Sequence, residues 1–226
     1  MSSTSESPKA IVFDLLTGLL NSWTAWDRAV ATAVKSSETG DDQEAGKAGP
    51  GLEWRKHYLA LTFGTGAYRP YETLLHEAAA LAGLPASAAD ALLENWDSWI
   101  KPWPETPTVL AALRARGYKL AVVTNCSVAL GRRAAALCGV EFDAIVTAEE
   151  SGWYKPVPAA YMATLGRLGV EVHDVLFVAG SAGDVSGAKR AGMRVVWHNH
   201  VGLSLVGDAV PDKEGRTLNE TLDGVL

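Results

Sequence analysis

The sequence has little cysteine: only Cys126 and Cys138 among 226 residues. Two are too few for a disulfide framework, and a reducing cytoplasm is the expected compartment. It has no excess of basic residues either. The formal net charge is −6, which argues against nucleic acid as a partner, because phosphate binding needs a basic face. No apolar run approaches the length of a membrane span, so no membrane partner is expected. The stretch Met1 to Pro8 is polar and serine-rich, without the apolar centre of a secretory signal, and residues 1–8 read as a disordered tail. No internal repeat is present. What is there is an ordinary globular composition, 48% hydrophobic and 20% charged, long enough for one core plus a smaller insertion. The eight tryptophans stand out, and five of them (Trp23, Trp26, Trp54, Trp96 and Trp99) fall between Leu20 and Ile100.

Apolar runs of buried-strand length lie at Ala10–Phe13, Leu120–Thr124, Ala144–Thr147, Val175–Ala179 and Val195–Trp197. Between the later ones run helical patterns, at Val109–Arg116, Val128–Cys138, Pro158–Leu168 and Val185–Ala191. This alternation predicts a Rossmann-like, doubly wound parallel α/β sheet with right-handed crossovers. The gap after the first strand is too long for one crossover. It holds amphipathic patterns near Ser22–Lys35, Leu52–Leu61, Tyr71–Ala82 and Ala86–Trp99, which predict an all-helical inserted cap. The expected division is an α/β core over 9–19 and 104–226 and a cap over 20–103. Within the cap, 36–51 carries almost nothing apolar and reads as a flexible loop. Lys101 to Pro107, rich in proline, reads as a stiff, extended return linker.

Four strand ends carry polar chemistry. The first ends in Asp14, followed by uncharged Leu15-Leu16-Thr17; a helix N-cap or turn aspartate leaves the same pattern as a nucleophile. The second ends Thr124-Asn125-Cys126-Ser127, where Ser127 can cap the next helix and leave Thr124 and Asn125 free. Beyond the third, Lys155 sits between Tyr154 and Pro156, with little freedom and with an ammonium able to keep a nearby carboxylate ionised. The fourth runs into Gly180-Ser181-Ala182-Gly183-Asp184, a small-residue turn that lets backbone approach a ligand, with Asp184 at a helix start.

This order along nearly the whole chain, with an early helical insertion, resembles the haloacid dehalogenase superfamily. The phosphatases of that superfamily need a second aspartate two residues after the first, where this chain has Leu16, and usually an acid in the Gly-rich turn, where it has Gly180. The resemblance is closer to the metal-independent 2-haloacid dehalogenases, through Trp54-Arg55 with Tyr58 and Leu59, and through Lys155-Pro156 with Tyr161. It implies a hydrolase without cofactor or metal, acting on a small carboxylic acid, and leaves a homodimer open.

On that resemblance, Asp14 is the nucleophile, Lys155 its charge partner, and Asp184 the residue that orients Lys155 and the hydrolytic water. Arg55 and Asn125 hold the leaving group or the substrate carboxylate, Thr124 and Tyr161 complete the polar wall, and Ser181 and Trp23 join the substrate-binding set. The turn departs from the dehalogenase pattern: Ala179 and Ser181 replace a serine and an asparagine, and Gly183 stands where an aromatic would cradle a halide. These departures bring in a second relative of the same fold, L-azetidine-2-carboxylate hydrolase, whose leaving group is a ring amine; Trp23 and Trp26 would line its aromatic pocket. A metal-dependent phosphatase and a non-catalytic binding protein are the competing classes. His198 and His200 lack a third metal ligand in the sequence and read as loop residues. Cys126 reads as a small buried residue and His57 as structural, and Ser22 and Ser127 have no base placed to activate them.

Overall fold

The computed structural model describes residues 7–33 and 49–226. The expected tail and flexible loop lie largely outside the described residues. Among the described residues eight strands form: β1 (Ala10–Asp14), β2 (Leu20–Asn21), β3 (Lys101–Pro102), β4 (Lys119–Thr124), β5 (Ala144–Thr147), β6 (Val175–Ala179), β7 (Arg194–His198) and β8 (Lys213–Gly215). Six of them make one parallel sheet in the order β5-β4-β1-β6-β7-β8. The chain leaves β1 for β4 on one side and later returns to β6 on the other. The order therefore reverses at β1, and a crevice opens at the carboxyl ends of the strands, as a doubly wound sheet requires.

Both sheet faces are covered, which is why the strands read as continuous apolar runs. Ile11, Phe13, Val122 and Val178 point to one side, beneath α6 (Thr106–Ala115), α7 (Val128–Ala136) and α11 (Leu218–Thr221). Ala10, Val12, Val123 and Phe177 point to the other, beneath α9 (Pro158–Leu168) and α10 (Ala182–Arg190). The alternation is the period of two expected along a pleated strand. A short helix, α8 (Ala148–Ser151), follows β5 directly.

Helices α1 (Trp23–Ala33), α2 (Pro50–Thr65), α3 (Tyr71–Leu81), α4 (Ala86–Glu94) and α5 (Trp96–Trp99) form a layer at the carboxyl edge. An aromatic chain knits it together: Trp26 packs on Trp54 and Tyr58 at centroid distances of 4.7 and 5.6 Å, and Tyr71 on Tyr58 and Trp96 at 5.5 and 5.9 Å. Trp96 Nε1 donates to the Leu130 carbonyl of α7 at 3.2 Å, which pins the layer to the sheet domain. Among the described residues no helix is long and apolar enough to cross a membrane.

Four local expectations are corrected. Pro50 and Gly51, counted in the flexible loop, open α2: proline suits the first helical turn, and the buried Gly51 N–H donates to Asp27 Oδ1 at 3.1 Å. The Ala86–Trp99 pattern breaks at Asn95, whose side-chain amide back-bonds the Ala91 carbonyl at 2.9 Å. The stretch from Lys101 to Pro107 is not a linker throughout, since Lys101–Pro102 pair antiparallel with Leu20–Asn21 and Thr106–Pro107 start α6. Finally, α10 begins at Ala182, so three of the five residues of the small-residue turn, Ala182 to Asp184, are helical.

Candidate active site

Asp14, at the end of the central strand, is 5% exposed. The chain then takes a single π-helical turn, Leu15–Leu19, which folds its own donors back. Asp14 Oδ2 accepts from Thr17 N at 2.8 Å, Thr17 Oγ1 at 2.7 Å and Gly18 N at 2.8 Å. Oδ1 accepts from Lys155 Nζ at 2.6 Å. The same carboxylate is thus a helix cap and half of an ion pair. Gly180 lets the β6 turn come this close: a Cβ there would lie 2.5 Å from both Asp14 Oδ2 and the Thr17 carbonyl carbon. No side chain, acidic or otherwise, fits at that position.

Lys155 also reaches Asp184, with Nζ 3.1 Å from Oδ1 and 3.3 Å from Oδ2. Asp184 is held in turn by Tyr161 Oη, which donates to Oδ1 at 3.0 Å, and by Ser181 Oγ, which donates to Oδ2 at 3.1 Å. The cap of α10 is Ser181, whose Oγ accepts from Asp184 N, so the Asp184 carboxylate is not spent on capping. Asn125 clamps the lysine loop with both ends of its amide: Oδ1 accepts from Lys155 N at 2.7 Å and Nδ2 donates to Lys155 O at 2.9 Å.

Charge follows from this wiring. Burial pushes the Asp14 carboxyl up, but the Lys155 charge, with the Lys155 and Thr17 donors, outweighs it and holds Asp14 below the ordinary carboxylate range. For Asp184, burial dominates; Lys155 opposes it, the Asp14 charge adds to it, and the group ends above that range. Burial would lower Lys155, yet the two carboxylates raise it, so the ammonium stays charged. Two acids sharing one cation are driven apart in acidity, the usual mark of divided acid and base roles.

Arg55, on α2, is buried and stacks over the Trp23 ring, its guanidinium carbon 3.6 Å from the centroid. Among the described residues it makes no ion pair or hydrogen bond. Burial lowers it to about 10. It faces a cavity of about 60 Å³ whose polar wall includes Asp14, Ser22, Asn125, Lys155, Ser181 and Asp184. That is room for on the order of four waters, or a molecule of a few heavy atoms. The apolar side is Leu16, Trp26, Leu59, Phe63, Leu92 and Ile100.

The structure brings Asp14, Arg55, Asn125, Lys155, Ser181 and Asp184 to this wall and leaves three expected residues behind it. Thr124 is buried against Cys126, with Oγ1 3.6 Å from Sγ; Tyr161 touches Asp184 from below; Trp23 supports Arg55. Cys126 is buried and its thiol is pushed up to about 12, which leaves it inert. Phe63 was not legible as a site residue. It reaches from α2 to Gly183, where a Cβ would meet its ring at 3.0 Å, so an aromatic does cover that turn, supplied from the helical layer. Beside His198 and His200 the fold also brings Glu105, from the chain entering α6, a carboxylate the sequence does not associate with them.

Fold and site together define a doubly wound α/β enzyme with its polar centre at the end of the middle strand. The haloacid dehalogenase-like hydrolase family model matches residues 8–192, and the chain belongs to that family. It is similar to haloacetate dehalogenase H-2 of Moraxella sp. (strain B), 36% identical over 107 residues, which are 46% of this chain and 48% of that protein. It is also similar to a phosphoglycolate phosphatase of Aquifex aeolicus (strain VF5), 38% identical over 104 residues, 45% of this chain and 49% of that one. These matches span about half the length of the curated relatives. A crystal structure of a dehalogenase superposes with a TM-score of 0.79 at 25% identity, covering 96% of each chain.

Proposed function

We propose that the protein is a hydrolase in which Asp14 displaces a leaving group from C2 of a small 2-substituted carboxylic acid, as in 2-haloacid dehalogenation. Arg55 carries the reading: a buried guanidinium facing a small cavity, without a protein carboxylate among the described residues, is completed by an anionic ligand. Helices α1–α5 act as the cap that closes over it.

With its carboxylate on Arg55, the substrate presents C2 to Asp14. The aspartate attacks C2, the bond to the leaving group breaks, and the leaving group departs with the electron pair. An ester joins Asp14 to the substrate. A carboxylate is a poor nucleophile in water, and the apolar wall strips its solvent and fixes its approach. Phe63 over Gly183 supplies the aromatic surface for a departing halide. Water then attacks the Asp14 carbonyl carbon as Asp184 takes one of its protons; the ester C–O bond breaks, Asp184 passes that proton to the departing product oxygen, and the Asp14 carboxyl is regenerated beside Lys155. Asn125 positions Lys155 and keeps its second Nδ2 hydrogen for the substrate.

A second reading keeps the nucleophile and changes the leaving group to the ring amine of L-azetidine-2-carboxylate. The apolar side of Trp26, Leu59 and Phe63, which a hydrocarbon ring would fill, favours it. Phosphoryl transfer is disfavoured by Leu16, an alkyl chain in the wall, and by Gly180, which leaves no room for an acid. The test is a screen of the purified chain against both 2-chloropropionate enantiomers, fluoroacetate, L-azetidine-2-carboxylate and a generic phosphate ester. Halide release supports the first reading and ring-opened amino acid the second. Phosphate release alone, or no turnover of any substrate, overturns both.

A further inference from the structure

Behind the Asp14 turn, on the side away from the cavity, Glu105, His198 and His200 each turn one ligand atom toward a common point, all within 4.8 Å of one another. We propose that these three residues bind a divalent transition-metal ion, zinc being the best match.

The imidazole tautomers favour it. His198 is fully buried, and its Nδ1 lies 2.8 Å from the Gly18 carbonyl. A carbonyl only accepts, so Nδ1 carries the proton in the neutral ring and Nε2 is left with a bare lone pair. That Nε2 is buried without a hydrogen-bond partner and lies 3.8 Å from Glu105 Oε1. An unfilled lone pair in a dry setting facing a carboxylate calls for a cation between them. His200 repeats the arrangement: its Nδ1 is 3.1 Å from the Arg216 carbonyl, which again frees Nε2. Trp103 stacks on the His200 ring at 3.8 Å and 25°, fixing its plane. Orientation of each imidazole by a hydrogen bond from its other nitrogen is what metal-binding histidines show.

Two imidazoles and one carboxylate select a borderline ion such as zinc or cobalt over magnesium or calcium, which prefer oxygen. Bonds of about 2.0–2.1 Å place tetrahedral ligands roughly 3.4 Å apart, so the cluster must close by about 1 Å. The exposed His200 can supply that movement. The site is structural rather than part of the cavity, since none of its three residues lines it. Its effect reaches the turn all the same: His198 holds the Gly18 carbonyl, Trp103 Nε1 donates to the Thr17 carbonyl at 3.1 Å, and the N–H groups of those residues hold Asp14.

The experiment titrates zinc chloride into the chelator-stripped full chain against a competing chelator, with the fold checked by circular dichroism. One equivalent is expected to bind. Affinity should fall at least about tenfold in His200→Ala and in Glu105→Gln, and stay unchanged in His173→Ala, an exposed histidine elsewhere. Cobalt in place of zinc should give four-coordinate visible bands without thiolate charge transfer. Absence of stoichiometric zinc, affinity as high as the parent's in either cluster variant, or a thiolate band would each overturn the site.

Discussion

Lys155 Nζ sits 2.6 Å from Asp14 Oδ1, although 141 residues separate them in the chain. The pair exists because β1 and the loop after β5 end at the same sheet edge and Asn125 clamps that loop from β4. A charged pair this deep is stable only when its remaining lone pairs are filled, and three donors on Asp14 Oδ2 meet that requirement.

Asp14→Asn should abolish turnover, by about 10⁴-fold or more in kcat, because an amide neither attacks carbon nor pairs with Lys155. Halide or amino-acid release reports the rate. A single turnover of the unaltered chain in ¹⁸O water should label Asp14, found by peptide mass spectrometry. Label appearing only in the product would mean that water attacks directly.

Arg55→Gln should lower kcat/KM by roughly 10- to 100-fold, the worth of a charge-assisted hydrogen bond. The same change removes an uncompensated buried charge, so thermal unfolding of the substrate-free protein should not shift downward by more than the lost stacking on Trp23, about 1 kcal/mol. A large loss of stability with unchanged kinetics would make Arg55 a packing residue instead.

The pH profile of kcat/KM should fall on the alkaline side near pH 10, where burial has placed Arg55. Below that pH the guanidinium is charged and binds a carboxylate; above it the site loses its cation. On the acid side, Asp184 protonates before Asp14, because Asp184 is raised and Asp14 is lowered. The acid limb should therefore lie above the ordinary aspartate value of 3.8 and move in Asp184→Asn. Initial rates from pH 4 to 11 test both limbs.

Gly180→Ala should destabilise the fold by about 1–3 kcal/mol, since the added methyl meets the Thr17–Gly18 backbone, and should reduce turnover with it. Thermal melts and kcat on the same preparation check this. Equal stability to the parent would mean that the turn tolerates retreat from Asp14.

Phe63→Ala should leave stability nearly unchanged, because the ring is 46% exposed, while lowering kcat/KM for haloacids by about tenfold. Chloride against bromide release separates an effect on the leaving group from a general loss of cover.

The sheet was legible because its buried strands are unbroken apolar runs, and Asp14, Lys155 and Asp184 were legible because they follow those runs in order. Other features had no local signal. β8 is Lys213-Glu214-Gly215, polar and three residues long, and pairs only because β7 offers an edge. Asn125 reads as a ligand for substrate and does reach the cavity wall, but its clamp on the Lys155 peptide, a contact made 30 residues away, has no local signal. Phe63 gains its position by reaching from α2 to Gly183, and Glu105 by accepting from Leu218 N 113 residues away, which no periodicity within one segment encodes.

Both covalent crossings between α1–α5 and the sheet pass through one small ribbon, where Leu20 faces Pro102 and Asn21 faces Lys101. Any tilt of the helices relative to the sheet has to pivot there. Such a tilt would carry Arg55 and Phe63 away while Asp14, Lys155 and Asp184 stay fixed on the strand ends. On the proposed function, admission of a substrate and the chemistry performed on it would then belong to mechanically separate parts of one chain.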